Sequence, residues 1–268
     1  MSLKLSLQGG LIYLTLLYVV ITAIILLVNR KKKSQVLASI ATGFWVIGFI
    51  TAVISVTWRG IHVGHPPMQN LFEFFLCMAA VLAPLSWWNW KQHGLDTRLK
   101  DAFLGILILF PAGFVMSEEV RTLPPALQSP LFVPHVASYV AGYVMMARAA
   151  LMALPLFRSK TPPEEVAQID LAVRQSVSVG FLLVTIGLLL GALWGKLCWS
   201  SYWQWDPKET WSLATWLVYG AYFHHVLLGK RRSMKVSAGL LWLGLVFIVL
   251  TITWINLSRL FSGMHTYA

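Results

Sequence analysis

Residues 11–28 read LIYLTLLYVVITAIILLV, and Asn29, Arg30, Lys31, Lys32 and Lys33 follow at once. An α-helix rises about 1.5 Å per residue, so about twenty mostly apolar residues cross the hydrocarbon core of a bilayer. A cleaved leader would be shorter and would carry its basic residues before the apolar stretch. The run therefore reads as a retained first span with a cationic stop. Comparable stretches occupy 10–28, 36–57, 68–90, 101–116, 131–156, 174–194, 210–228 and 236–256. They predict an all-α, polytopic integral membrane protein of about eight transmembrane helices, forming a single membrane domain over 1–268. The fourth stretch is short, and Pro155 places a tilt or kink near the end of the fifth.

Composition points the same way. Hydrophobic residues make up 57% of the 268, and charged residues only 12%, whereas a soluble domain carries about a quarter. The formal charge of +11 is scattered between apolar runs and forms no basic face, which argues against a nucleic-acid partner. Cys77 and Cys198 are far apart and form no CxxC, so neither a zinc site nor a thioredoxin-like centre is indicated.

Basic residues collect on the cytoplasmic side of short loops. Four alternate connections, Arg30–Lys33, Lys91–Lys100, Arg158–Arg174 and Lys230–Lys235, hold fourteen of them. The opposite side holds six: Lys4, Arg59, Arg121, Lys196, Lys208 and Arg259. Both termini are therefore expected on the outer side. The outward connections carry HVGHPPMQN (62–70), SEEVRTLPPALQSP (117–130), a tryptophan-rich segment, and a tail ending MHTYA. Chemistry, if the chain performs any, faces outward.

The tryptophan-rich segment, residues 191–216, reads GALWGKLCWSSYWQWDPKETWSLATW. It holds six of the thirteen tryptophans: Trp194, Trp199, Trp203, Trp205, Trp211 and Trp216. Tryptophan is enriched at both membrane interfaces, so an enlarged aromatic belt is one reading. A belt spreads its rings over many helix ends, however, and these sit in one outward connection. A flat, electron-rich surface there also suits a large planar ligand with a polar edge, such as a porphyrin. Asp206 followed by Pro207 fits an N-cap and first helical position, so that part of the segment has an architectural reading too.

WGKLCWSSYWQWDPKETWSLATW closely resembles the WWD signature of the heme-handling proteins of cytochrome c biogenesis. The WDPKETW form is similar to that of the CcsA (ResC) family of the System II pathway, whereas the related CcmC and CcmF proteins of System I usually continue differently after the Trp-Asp pair. GHPPMQNLFEF, PHVASYVAGY, YGAYFHH and SGMHTYA resemble family segments in the same order, so the likeness runs from about residue 60 onward. It implies a membrane subunit that works with a ResB-type (CcsB) partner to deliver heme b and attach it to the CxxCH motif of apocytochromes c. The membrane would be a bacterial cytoplasmic membrane or a thylakoid membrane.

Histidine is a common axial ligand of heme iron. The predicted topology places His135, after Pro134, and His265, in MHTYA, on the same face as the tryptophans. Each alone reads as an interfacial histidine; the resemblance makes them the external iron ligands. His224 lies fourteen residues past Thr210, about 21 Å below the outer boundary, and an ionisable group at that depth is a functional candidate. The resemblance makes it an intramembrane iron ligand whose companion comes from the partner subunit. The expected cofactor-binding set is thus His135, His265 and His224 with Trp194, Trp199, Trp203, Trp205, Asp206 and Trp211. His62 and His65 lie at the outer mouth, and His93 lies in a cytoplasmic loop. Glu73 shares a helix face with Asn70 and needs a partner or a proton if buried.

No catalytic residue is expected in this chain. Thioether formation adds the substrate's own cysteine thiols across the heme vinyl groups, which leaves the protein a presenting role within a holocytochrome c synthase. The outer-side cations are the candidates for the propionates. A bis-histidine electron-transfer cytochrome is an alternative, but only His224 lies deep. A heme or small-molecule transporter is another, yet neither inverted repeats nor paired broken helices are evident.

Overall fold

The computed structural model describes residues 3–158, 161–228 and 232–254. Eight α-helices run through the described residues: α1 (Leu7–Lys32), α2 (Gln35–Val63), α3 (Leu71–His93), α4 (Arg98–Phe114), α5 (Phe132–Met152), α6 (Pro163–Trp199), α7 (Pro207–Leu228) and α8 (Met234–Val249). No strand occurs among these residues, and the helices follow the eight apolar stretches one for one. Six are long and apolar enough to cross a membrane: α1, α2, α3, α5 with its following turn, α6, and α8 with its continuation. The chain is an all-α, polytopic membrane protein. The other two helices are α4, which has 17 residues, and α7, which carries Lys208, Glu209, His224 and His225.

Local chemistry explains the boundaries. Ser6, Ser34, Asn70 and Ser233 each accept a backbone N–H of the first turn that they open, relieving donors that have no intrahelical partner. Lys33, Gly64 and Gly94 close α1, α2 and α3 in left-handed conformations, as helix C-termini commonly do. The break expected at Pro155 is a 3-10 turn, Leu154–Phe157, after α5 ends at Met152. Helix α8 passes into a π-helical turn at Leu250–Trp254. At 37 residues α6 is much longer than the apolar stretch 174–194. Pro163 at its first position and Glu164 and Glu165 in its first turn favour a helix start. Asp170 on this extension meets Arg174 at 3.2 Å and Arg232 at 2.6 Å.

The chain divides into two compact units, Met1–Leu123 and Pro124–Ala268. In the first, α1 packs against α2 and α4, and α3 against α2 and α4. Helices in lipid gain little from hydrophobic contact with each other, so hydrogen bonds and close packing hold them. Gln8 donates to Ser55 at 2.8 Å, and Thr15 to Thr51 at 3.0 Å. The deepest commitment is ionic. Arg59, only 1% exposed, donates through Nε to Glu73 at 3.0 Å and caps the Glu118 and Glu119 carbonyls at 2.7 and 3.0 Å. Glu73, also 1% exposed, accepts the Gln69 N–H at 2.8 Å, while its own N–H donates to the N-capping Asn70.

In the second unit α5 and α6 form a tightly packed antiparallel pair. Phe132 meets Trp194, His135 meets Gly187 and Gly191, Tyr139 meets Gly187, and Gly142 meets Gly180 and Val184. A Cβ on Gly142 would lie 2.8 Å from Val184 Cγ2 and 3.1 Å from the Gly180 carbonyl oxygen, and one on Gly180 would lie 3.2 Å from the Gly142 carbonyl oxygen. The backbones approach because neither helix has a side chain there. Helix α8 packs against α5 and α7, with Gly244 against the Tyr219 ring.

Gly142→Ala is expected to destabilise the protein by about 1–3 kcal/mol, the usual cost of overpacking. Gly220→Ala, where nothing lies within 4 Å of the added Cβ, serves as the control; melting in detergent compares the two. Glu73→Gln leaves the Arg59 guanidinium buried without its counter-charge. A loss of about 3–5 kcal/mol is expected, read as a large drop in melting temperature.

Candidate functional site

The connection from α6 to α7 is short and heavily determined. Helix α6 ends at Trp199, and Ser200 takes a left-handed conformation (φ 60°) while its N–H returns to the Lys196 carbonyl. The Ser201 hydroxyl bonds to the Trp203 carbonyl at 3.0 Å. Trp205 is also left-handed (φ 60°), a conformation an aromatic residue holds only when its surroundings impose it. The next four residues impose it. The Asp206 carboxylate accepts the Lys208 N–H at 2.8 Å, and the Glu209 carboxylate reaches back to the N–H groups of Gln204 at 2.8 Å and Asp206 at 3.2 Å. This N-cap on the Lys208 N–H, joined by the Glu209 carboxylate reaching back to the Asp206 N–H, starts α7 with Pro207 at the first helical position. Asp206 is buried, and the expected N-cap reading of Asp206–Pro207 is what the fold contains.

His135 sits one turn into α5, part-buried, and its Nδ1 lies 2.8 Å from the Gly187 carbonyl oxygen of α6. A carbonyl only accepts, so Nδ1 is the protonated nitrogen and the lone pair resides on Nε2. Tyr139 stands edge-on to the imidazole at 5.1 Å and Trp194 at 5.5 Å. Trp194 is buried, donates Nε1–H to the Ala126 carbonyl at 2.9 Å, and lies 6.1 Å from both Phe132 and Trp199. The structure therefore brings His135, Trp194 and Trp199 together.

The remaining candidates are distributed differently. Trp203 and Trp205 form a T-shaped pair at 5.9 Å, and Trp205 is 69% exposed. Trp211 packs edge-on against Phe247 of α8 at 5.5 Å, and Trp216 stacks on Phe181 and donates to Thr185. His224 is exposed on α7, whereas its neighbour His225 bonds to the Ser233 carbonyl at 3.2 Å. His265 and Arg259 lie outside the described residues. Sequence reasoning missed Gly187 and Gly191, whose four-residue spacing in GLLLGALWG was the available signal.

The family model described as Cytochrome C assembly protein matches residues 68–265. The chain belongs to that family. It is similar to the cytochrome c biogenesis protein CcsA of Synechococcus sp. (strain CC9902), 29% identical, with 81% of this chain and 82% of that one covered. It is similar also to CcsA of Prochlorococcus marinus subsp. pastoris, 28% identical over 98% and 92% of the two chains. The CcsA of Cuscuta exaltata is 26% identical over 81% of each. The solved structure of "Cytochrome c Heme Lyase CcmF" superposes with a TM-score of 0.70 at 16% identity and covers 94% of this chain. This chain spans about half, 47%, of that protein, and the likeness is one of fold.

Among the cations expected from the sequence on the outer side of this assembly protein, Arg59 is withdrawn into its pair with Glu73 and offers no surface to a ligand. Arg121 faces Glu119 at 3.6 Å with both groups exposed. Lys196 donates to the Ser200 carbonyl and lies over the Tyr202 ring. Lys208 precedes the apolar run that starts at Thr210. Burial pushes its ammonium down from the ordinary 10.5 to about 8, against an opposing pull from the Asp206 carboxylate. Below about 8 both folded and unfolded chains are protonated, and the buried charge costs its full amount. Between about 8 and 10.5 the unfolded chain holds more protons, so stability rises with pH. Melting curves across that window are expected to show this rise in the native protein and to lack it in Lys208→Met.

Proposed function

We propose that this assembly protein presents heme b, as a substrate, to the CxxCH motif of apocytochromes c. It does so as one subunit of a holocytochrome c synthase completed by a ResB-type (CcsB) partner. The seat of His135 carries this reading. A metal-binding histidine characteristically donates its other ring N–H to a carbonyl, which fixes the tautomer and raises ligand basicity. The Nδ1 contact to Gly187 provides that arrangement beside Trp194 and Trp199. The fold shared with a protein named a heme lyase supports the same conclusion.

In this proposal His135 and His265 are the axial ligands of iron on the outer face. Trp194, Trp199, Trp203, Trp205 and Trp211 shape the surface against which the ring lies. Asp206 acts at one remove, by fixing the start of α7 and with it the path of Trp203 and Trp205. The thiols of the CxxCH motif add across the vinyl groups: each sulfur forms a bond to carbon, and its proton passes to the other vinyl carbon. That addition needs no nucleophile from this chain, and the task left is to hold the ring and its iron. His224, exposed on α7, supplies half of a second site completed by the partner. The fourteen-to-six distribution of basic residues supports eight spans with both termini outward, in a bacterial cytoplasmic or a thylakoid membrane.

The test is coexpression with a ResB-type partner and an apocytochrome, scored by covalent heme on the apocytochrome and by heme in the purified complex. His135→Ala is expected to abolish maturation and to be partly rescued by added imidazole. His224→Ala is expected to lower total heme, including that at the outer site. Full maturation in His135→Ala would remove the ligand assignment, and normal heme with normal maturation in His224→Ala would remove the second site.

A further inference from the structure

The imidazole of His135 reaches a carbonyl that belongs to a helix interior. In an α-helix the carbonyl of residue i points toward residue i+4, so the Gly187 oxygen lies beside Gly191. It has a second lone pair beyond the one that serves the helical bond. A ring from a neighbouring helix can reach that lone pair only across position 191. A Cβ built there would stand 2.7 Å from His135 Cε1, 3.0 Å from Nδ1 and 3.8 Å from Nε2, and these three nearest atoms all belong to the imidazole. Elsewhere on the same helix pair the glycines face other groups. Gly142 and Gly180 meet each other's backbone, and a Cβ built on Gly187 would stand 2.9 Å from the Tyr139 ring. Tyr139 and Trp194 flank the imidazole, so a ring pushed by a new methyl group at 191 has to leave the Gly187 oxygen.

We propose that Gly191 is a positioning residue for the iron ligand: its missing side chain is the opening through which His135 reaches the Gly187 carbonyl, which holds the proton on Nδ1 and the lone pair on Nε2. This rests on the reading of His135 as an axial ligand. The hydrogen bond is the outer-shell partner that tunes such a ligand, and loss of such partners typically lowers metal affinity about 10–100-fold. Gly191→Ala keeps the helix and adds only the obstructing carbon.

The experiment uses the full chain purified with its ResB-type partner. Hemin is titrated into the heme-depleted complex, followed by absorbance in ferric and ferrous states. The heme-free complex is labelled with 15N-histidine for solid-state NMR. The native complex is expected to show His135 as a single Nδ1-protonated tautomer, and Gly191→Ala to lose that state. Gly191→Ala is expected to weaken hemin binding about 10–100-fold, to change the low-spin spectrum, and to recover with free imidazole. Gly142→Ala, a packing change on the same helix pair, should lower the melting temperature without moving tautomer or spectrum. In a His135→Gly background supplied with imidazole, Gly191→Ala should add nothing, because an untethered ring needs no opening.

An unchanged tautomer and affinity in Gly191→Ala would overturn the proposal. So would a separate loss caused by Gly191→Ala in the His135→Gly background, or disappearance of the Gly191→Ala protein from the membrane. Each would make the glycine a packing residue. Unchanged hemin binding in His135→Gly itself would instead end the ligand reading, whatever the NMR shows for the position of the ring.

Discussion

The second unit depends on how closely two helix backbones approach in a solvent that gives them little reason to associate. Lipid tails are as apolar as leucine, so α5 and α6 are held by van der Waals packing and polar contacts. Gly142 and Gly180 let the carbonyls of one helix meet the Cα atoms of the other. That proximity extends along the pair, past Tyr139 on Gly187, to His135 on the Gly187 oxygen and Gly191. An imidazole cannot reach the main chain of a neighbouring helix unless the helices are already this close. Packing and site are two ends of one contact line.

Charge is used in the structure chiefly for architecture. Arg59 and Glu73 are buried together and saturated with further hydrogen bonds, the condition under which a buried pair is tolerated. They tie α2, α3 and the segment at Glu118–Glu119 into one rigid corner. Asp206 and Glu209 lie in the stretch that most strongly marks the family resemblance, yet their carboxylates engage backbone N–H groups at the start of α7. A motif can owe its length to two demands at once. In WDPKETW the indoles supply a surface under the proposed function, while the aspartate, proline and glutamate fix the backbone that carries them, including the left-handed Trp205.

Much of the fold was legible because helices in lipid have to be continuous, apolar and internally hydrogen-bonded. Each apolar stretch became a helix, and Pro155 ended one where its missing N–H predicts. The extension of α6 was not legible from hydropathy, since Glu164, Glu165 and Asp170 removed it from any apolar window. Its length follows from Pro163, the acidic first turn and the pairing of Asp170 with Arg174 and Arg232. Arg59 reads from sequence as one of several outer-side cations. Only the arrival of Glu73 and two loop carbonyls takes it out of reach, and those partners come from other elements of the chain.

By itself the sequence determined the class of the protein, the order of its helices and the chemical character of its tryptophan segment. Those properties are local: they follow from hydropathy, capping residues and a long run of rare side chains. Tertiary structure decided which of these residues meet. It gathered Trp194, Trp199 and His135, set Trp203 and Trp205 as a separate pair, and placed Trp211 against α8. It also decided which nitrogen of His135 carries the proton, because the carbonyl responsible belongs to Gly187, 52 residues away. No spacing rule anticipates that bond, since it depends on the register of two helices and on the absence of a single carbon at position 191.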